Sequence, residues 1–195
     1  MGVLSHLNID RYIKEYNIKI FIETGTHRGN GVIEAQKYDF EQIYSIEICE
    51  TQFNLIKDEL EKDKRVKIIN SDSLNGLKQI FQKIDHNKNI LYWLDAHFPS
   101  ADFGLKPYFT NDPNRVRLPL EEELFFIKNN RKSINDVILM DDMWIYKNHG
   151  KDSGRPELMP NEQFSSDNFY EEIFKETHHS TILNDHEGYC ILTPK

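Results

Sequence analysis

The chain has 195 residues, of which 38% are hydrophobic and 29% are charged, and its formal net charge is −8 at pH 7. This length fits one domain, residues 1–195, with a substantial core, while the negative charge disfavours a nucleic-acid partner and no apolar run approaches the ~20 residues of a membrane span. Because neither Cys49 nor Cys190 lies in a metal-type pair and the N-terminus lacks a signal-peptide core, we expect a cytoplasmic protein.

Strand-like and helix-like segments alternate along the chain, which is the pattern of an α/β fold with a mainly parallel sheet. The strand segments are apolar and rich in β-branched residues, as buried parallel strands are. Two irregular stretches, residues 97–117 and 146–164, contain several prolines and glycines, and the aromatic residues of the first stretch suggest a lid. In chain order, we predict a helix within residues 1–17, strand one at 18–24, a helix at 30–38, strand two at 42–47, a helix at 50–62, strand three at 66–70, a helix at 74–84, strand four at 90–95, a helix at 119–131, strand five at 136–141, a helix at 166–177 and a terminal hairpin of residues 180–183 and 189–192.

The glycine turn after strand one carries the first candidate site. Its spacing matches neither the Gly-x-Gly-x-x-Gly of dinucleotide folds nor the Gly-Lys-Ser/Thr of a P-loop. Glu23, Gly25 and Gly29 instead resemble the first motif of class I S-adenosylmethionine (SAM) methyltransferases, acidic-x-Gly-x-x-x-Gly. This resemblance implies that these residues, with Thr26 and His27, contact SAM. A glycine turn without a ligand would explain so short a motif about as often.

Further polar residues follow strands two and three. Glu47 lies about 20 residues beyond the glycine turn, where nucleotide-binding folds place a carboxylate on the two ribose hydroxyls. Asp72 and Ser73 follow strand three, where class I methyltransferases hold the adenine amino group. A solvated acid at Glu47 and a helix cap at Asp72 or Ser73 would give the same pattern. The agreement of Glu23, the glycines and Glu47 favours a cofactor site.

Strands four and five end in carboxylates that should meet in space. Asp95 ends strand four, and Asp141 and Asp142 follow strand five. Converging carboxylates repel each other unless a cation lies between them, and oxygen ligands suit Mg²⁺ or Mn²⁺. We therefore predict a metal site at Asp95, Asp141 and Asp142, although either of the last two could instead cap a short helix that begins at Met143.

A candidate base lies beside this predicted metal site. His97 lies two residues after Asp95, so on an extended chain both side chains face the same side. Coordination to a dication lowers the pKa of a hydroxyl, and a histidine can take the remaining proton because its usual pKa is ~6.5. We predict His97 and Asp95 as catalytic residues. The simpler alternative is that His97 bonds to the backbone of its own loop.

The same segments resemble metal-dependent sugar O-methyltransferases of the macrocin and mycinamicin type. That family has Leu-Asp-x-Asp-x-Tyr after strand four and Asp-Asp after strand five, which residues 94–98 and 141–142 match, except that His97 replaces the second Asp. The resemblance covers about residues 21–146 and the terminal hairpin. Three segments are also similar to uncharacterised methyltransferases of glycan clusters: Glu-Thr-Gly-Thr, Leu-Asp-Ala-His and Pro-Leu-x-Glu-Glu-Leu.

The resemblance implies a Rossmann-like class I methyltransferase with a mostly parallel seven-stranded sheet, a C-terminal antiparallel hairpin and helices on both faces. It further implies a SAM-dependent O-methyltransferase that acts on a sugar or glycan hydroxyl with the help of a divalent metal and a histidine base. A metal-independent methyltransferase and a non-catalytic SAM-binding domain remain open as alternatives. The sequence is also compatible with a homo-oligomer.

Four polar residues outside these motifs are interpreted as structural. Glu122 and Glu123 are expected on a solvated helix face, and His178 and His179 are expected to support the hairpin that follows them. Aromatic residues could stack on a sugar, although core packing is the safer expectation. These aromatic residues are Phe98, Phe103, Tyr108, Phe109, Trp144 and Tyr146.

Overall fold

The computed structural model describes residues 3–98, 104, 118–131, 135–146, 164–166, 168–186 and 188–195. A 3₁₀ turn at Leu4–His6 precedes the first α-helix. The α-helices are α1 (Ile9–Glu15), α2 (Asn30–Ala35), α3 (Glu50–Leu60), α4 (Ser73–Phe81), α5 (Leu120–Asn130), α6 (Met143–Tyr146) and α7 (Phe169–Glu172). The strands are β1 (Ile18–Thr24), β2 (Gln42–Glu47), β3 (Val66–Asn70), β4 (Asn89–Leu94), β5 (Val137–Met140), β6 (His178–Leu183) and β7 (Tyr189–Pro194).

The seven strands form one sheet in the order β3-β2-β1-β4-β5-β7-β6. Neighbouring pairs from β3 to β5 are parallel, whereas β7 pairs antiparallel with both β5 and β6. This topology confirms the predicted fold class and the terminal hairpin. Because β1 has β2 on one side and β4 on the other, the strand order reverses beside β1, and a crevice opens at the carboxyl ends of these strands.

The core forms two apolar layers, one on each face of the sheet. Alternate residues of a strand point to opposite faces, so Ile20 and Ile22 of β1 enter one layer, which includes side chains of α4 and α5. Phe21 enters the other layer, with side chains of α2 and of the N-terminal segment. All three side chains are fully buried. Burial on both faces explains why β1 is a nearly continuous apolar run.

The C-terminal part differs in detail from the sequence prediction. The helix expected at 166–177 is only the four-residue α7, and β6 begins at His178, two residues earlier than predicted. His178 is buried, and its Nε2 lies 3.1 Å from the carbonyl oxygen of Asp136. Burial lowers the pKa of this imidazole. The structural interpretation of His178 therefore agrees with its environment, because the ring links β6 to the residue that precedes β5.

The two predicted irregular stretches lie mostly outside the described residues. Of the predicted lid, the structure describes only His97, Phe98 and Gly104, so the lid remains a prediction. Within the described ranges, no helix is long and apolar enough to cross a membrane.

Candidate functional site

The glycine turn lies on the edge of the sheet where the strand order reverses. The backbone N–H groups of Gly25 and Thr26 both donate to the carbonyl of Ile46, at 3.0 and 3.1 Å, which ties the turn to β2. On the other side, the N–H of Asp95 donates to the carbonyl of Thr24 at 3.1 Å. The turn is therefore held between the carboxyl ends of β2 and β4, next to both groups of predicted site residues.

Glycine is required in this turn for conformation and for space. Gly25 has φ +86°, a left-handed conformation that other residues rarely adopt, and a Cβ at this position would lie 2.6 Å from the carbonyl oxygen of Asp95. Gly29 has φ +81°, and its Cβ would lie 2.7 Å from a methyl group of Leu60. Gly25 thus lets the turn lie directly against the β4 end, and Gly29 lets α2 begin close to α3.

Glu23 lies beneath the turn. It is 2% exposed, and the hydroxyl of Ser45 donates to its Oε2 at 2.5 Å. The same hydroxyl lies 2.6 Å from the Oγ1 of Thr26, so three buried side chains form a short polar chain. Burial raises the pKa of Glu23 to about 8. Because a Cβ on Gly31 would lie 1.8 Å from Glu23 Oε1, this carboxyl group also packs against the first turn of α2.

Glu47 links the glycine turn to the end of β2. Its Oε2 accepts from the backbone N–H of His27, and its Oε1 accepts from that of Cys49, both at 2.8 Å. Burial raises the pKa of this carboxyl group, whereas the two N–H donors oppose that rise. Each carboxylate oxygen can accept more than one hydrogen bond. The arrangement therefore orients Glu47 and leaves it acceptor capacity for a pair of hydroxyls.

Asp72 and Ser73 begin α4. Asp72 is exposed and caps the helix, since its Oδ1 accepts from the N–H of Asn75 at 2.9 Å. Ser73 is buried, and its side chain lowers the pKa of the nearby carboxyl group of Glu123. The capping interpretation of Asp72 is confirmed, while contact of either residue with an adenine stays a prediction.

A carboxylate–imidazole cluster occupies the ends of β4 and β5. His97 Nε2 lies 3.2 Å from Asp142 Oδ2, and His97 Nδ1 lies 3.7 Å from Asp95 Oδ1. The three groups can offer ligand atoms that all lie within 4.8 Å of one another. Their side chains are 19%, 11% and 22% exposed for His97, Asp142 and Asp95, so a small molecule can reach them. Two carboxylates and an imidazole form a donor set that fits a divalent cation.

Asp141 lies beside this cluster. It is 2% exposed, and its Oδ1 accepts from the N–H of Asp142 at 2.7 Å. Its Oδ2 has no hydrogen-bond partner among the described residues. Burial, and next the neighbouring charge of Asp142, raise the pKa of Asp141 to about 7. The predicted set of Asp95, Asp141 and Asp142 is thus drawn together, but His97 rather than Asp141 completes the compact group of ligand atoms.

The main error of the sequence prediction concerns Glu123. This residue was expected on a solvated helix face, but it is 0% exposed. Burial raises the pKa of its carboxyl group to about 7. The signal was present in the sequence, because Leu120, Leu124 and Ile127 recur at helical spacing and Glu123 occupies a position on this buried stripe of α5. Glu122, its neighbour, is exposed as predicted.

The cluster, Asp141 and Glu123 line one cleft. Apolar residues line it as well, and Tyr146 is among them. The lining residues are Leu94, Asp95, Ala96, His97, Leu120, Glu123, Asp141, Asp142 and Tyr146. A cleft with four carboxyl groups and a single imidazole is suited to a cationic ligand.

Of the described aromatic candidates, Tyr146 and Phe98 are packed in the interior, and Trp144 is half-buried. Tyr146 is buried and lies 5.9 Å from Phe169, ring centre to ring centre. Trp144 packs on Gly188, where a Cβ would lie 2.6 Å from its ring. Phe98 is also buried. Phe103, Tyr108 and Phe109 lie outside the described residues.

This fold is shared with solved methyltransferase structures. A protein of Staphylococcus aureus assigned as a caffeoyl-CoA O-methyltransferase matches with a TM-score of 0.65 and 17% identity, over 100% of this chain and 85% of the other. A protein of Klebsiella pneumoniae assigned as an O-methyltransferase matches with a TM-score of 0.60 and 14% identity, over 100% and 81%. The SAH-bound methyltransferase PaMTH1 of Podospora anserina matches with a TM-score of 0.57 and 14% identity, over 95% and 75%.

These similarities define the class of fold. No protein-family model and no curated protein sequence matches this chain. The chain therefore has the Rossmann-like fold of the class I methyltransferases, with the glycine turn and the carboxylate–imidazole cluster at the edge of the sheet where doubly wound folds bind their ligands.

Proposed function

We propose that this protein is a SAM-dependent O-methyltransferase that uses a divalent cation. The observation that carries the proposal is the pairing of two half-sites on one edge of the sheet. One half, at β1 and β2, has a glycine turn fixed by Glu47. The other half, at β4 and β5, has the cluster of Asp95, His97 and Asp142. A methyl donor in the first half faces an acceptor in the second.

The first half would bind the donor through the turn and the acids around it. Gly25, Thr26, His27 and Gly29 would bring backbone close to the amino-acid part of SAM, and Glu47 would accept from the ribose hydroxyls. Asp72 and Ser73 would lie at the adenine end. Glu23 would act from below: its buried carboxyl group supports the turn through Ser45 and Thr26.

The second half would hold Mg²⁺ or Mn²⁺ through Asp95, His97 and Asp142. In the part of the chain that the structure describes, Oδ2 of the adjacent, buried Asp141 has no hydrogen-bond partner. This supports a cationic occupant, because an unpaired buried carboxylate is otherwise costly. A bound dication would supply the charge that lowers the pKa of the acceptor hydroxyl. The protein's own task is alignment, since an in-line displacement needs the reacting atoms at about 3–3.5 Å.

Two roles of His97 are compatible with its contacts. As a ligand, the imidazole would be neutral: its Nδ1–H would donate to the carbonyl oxygen of Asp95, which lies 3.2 Å away, and its Nε2, next to Asp142 Oδ2, would face the cation. As a base, it would take the hydroxyl proton, and the carboxylate of Asp142 would stabilise the resulting imidazolium. In both roles Asp95 and Asp142 hold the ring in place.

A sugar or glycan hydroxyl is the acceptor that the resemblance to macrocin-type enzymes favours. A phenolic acceptor of the caffeoyl-CoA kind is the second candidate, because a protein with this name shares the fold. The partial exposure of Asp95, His97 and Asp142 leaves room for either hydroxyl at the cluster.

Methyl transfer from labelled SAM to a panel of sugars and phenols tests the proposal. We expect transfer that EDTA abolishes and that added Mg²⁺ or Mn²⁺ restores, because the cluster lies where the acceptor must be activated. Transfer that resists EDTA would indicate the metal-independent alternative. SAM binding without transfer to any acceptor would indicate a non-catalytic domain, and absence of SAM binding would contradict the proposal altogether.

A further inference from the structure

Glu123 is a buried carboxyl group of α5. The hydroxyl of Thr24 donates to its Oε2 at 3.5 Å, and Ser73 lies close enough to lower the pKa of the carboxyl group. Oε1 has no hydrogen-bond partner in the part of the chain that the structure describes. A buried polar atom normally has a partner, and leaving a carboxylate oxygen without one is costly. This oxygen therefore points to a ligand.

The position of Glu123 joins the two half-sites. Thr24 immediately precedes the glycine turn, and Ser73 begins α4 on the donor side. Glu123 also lines the cleft that holds Asp95 and His97. The carbonyl of Thr24 accepts from the N–H of Asp95, which places the contact between Thr24 and Glu123 next to the end of β4. If the proposed function is correct, the reacting methyl group must lie at this junction.

The charge balance at the junction narrows the choice of ligand. Among the described residues that line the cleft, the imidazole of His97 is the one group that can carry a positive charge. The carboxylate of Glu123 does not belong to the compact group of atoms that could hold a metal ion. The methyl donor carries a sulfonium cation, and this charge disappears when the methyl group leaves.

We propose that Glu123 recognises the sulfonium charge of the bound methyl donor through Oε1, the oxygen that has no hydrogen-bond partner among the described residues. This inference rests on the proposed function and extends it, because it assigns the selection of SAM over the neutral product S-adenosylhomocysteine (SAH) to one residue. The other oxygen, Oε2, accepts from the hydroxyl of Thr24, which fixes the direction of the carboxylate. Product release is then assisted, since SAH no longer offers a charge to this group.

Calorimetric titration of SAM and SAH separates this role from a merely structural one. The variant Glu123→Gln keeps the shape of the side chain and an oxygen for the hydroxyl of Thr24 but removes the charge. We expect it to weaken SAM binding about tenfold or more, since two opposite charges interact strongly in a buried site, and to leave SAH binding unchanged. Glu122→Gln, the same change at the exposed neighbour on α5, should alter neither affinity.

Two results for Glu123→Gln would overturn the proposed role of Glu123: an equal loss of SAM and SAH affinity, or no loss of either. The proposed methyltransferase function would still stand as long as the wild type binds both ligands. Failure of the wild type to bind either ligand overturns both. SAH binding by Glu123→Gln also shows that the variant is folded. Should it not fold, Glu123→Asp, which keeps the charge, is expected to retain the preference for SAM; loss of that preference would then count against the proposal.

Discussion

Replacing Asp142 with asparagine is expected to remove divalent-cation binding while leaving SAM binding intact. Asp142 Oδ2 lies 3.2 Å from His97 Nε2, so the change removes one ligand charge and also releases the imidazole. Replacing a residue that only supports a metal ligand lowers metal affinity about 10–100-fold. We expect a larger loss of affinity when a residue that binds the metal directly is replaced. Titration with Mn²⁺, monitored by electron paramagnetic resonance, measures the affinity for the cation. Calorimetric titration with SAM measures the affinity for the methyl donor.

Asp58→Asn is the matched control, because Asp58 is exposed on α3 and far in the chain from the cluster. Its Mn²⁺ and SAM affinities should equal those of the wild type. If Asp142→Asn bound Mn²⁺ as tightly as the wild type, the cluster would not be the metal site. Loss of both Mn²⁺ and SAM in this variant would instead show that it is misfolded, and His97→Ala would then serve as the test of the same cluster.

Replacing Glu23 with glutamine is expected to make the protein less sensitive to alkaline pH. Burial raises the pKa of Glu23 to about 8, from a usual value of 4.5. When the pKa of a carboxyl group is higher in the folded state than in the unfolded chain, the group stabilises the folded state. This stabilisation is complete below the pKa of the unfolded chain, and it is lost as the pH rises through the pKa of the folded state. One such group lowers the free energy of unfolding by about 1.4 kcal/mol for each pH unit within this window.

Urea unfolding of the wild type and Glu23→Gln between pH 5 and pH 9 measures this effect. Glu123, whose pKa is raised to about 7, contributes a dependence of the same sign to both proteins, so the difference between them isolates Glu23. We expect Glu23→Gln to gain stability relative to the wild type as the pH rises. The exposed Glu176→Gln should show no such trend. Parallel curves for wild type and Glu23→Gln would mean that Glu23 is not buried as described.

The sequence predicted the fold well because the strands of the parallel sheet are buried on both faces. Such strands are apolar runs with abrupt ends, and β1, β2 and β3 were predicted at their observed bounds. The terminal hairpin was predicted two residues too short at its start, since His178 and His179 do not look like strand residues. Pairing with β7 extends β6 to include them, which is a tertiary effect.

The sequence also predicted that Asp95, Asp141 and Asp142 gather at one edge, because parallel strands align their carboxyl ends. It did not predict which of these carboxylates contacts His97. Asp142 has φ +54°, a left-handed conformation that departs from the extended backbone of β5 and that the sequence did not indicate. Asp142 Oδ2 lies next to His97 Nε2, while Asp141 Oδ1 accepts from the backbone N–H of Asp142.

Burial explains the difference at Glu123. Charge alone suggested that Glu123 is solvated, but its place on the apolar stripe of α5 buries it. The helical register of α5 carried more information here than the type of residue. Glu23 is also buried, in contact with Ser45, and its contact with SAM stays a prediction.

The central claim is that a methyl donor and a divalent cation bind side by side at the ends of β1 and β4. The most direct measurement is the nuclear magnetic resonance signal of an isotopically labelled methyl group on bound SAM, recorded with Mg²⁺ and then with paramagnetic Mn²⁺. We predict strong broadening of the methyl signal by Mn²⁺ in the wild type and none in Asp142→Asn. A methyl signal of bound SAM that Mn²⁺ leaves sharp in the wild type would contradict the claim.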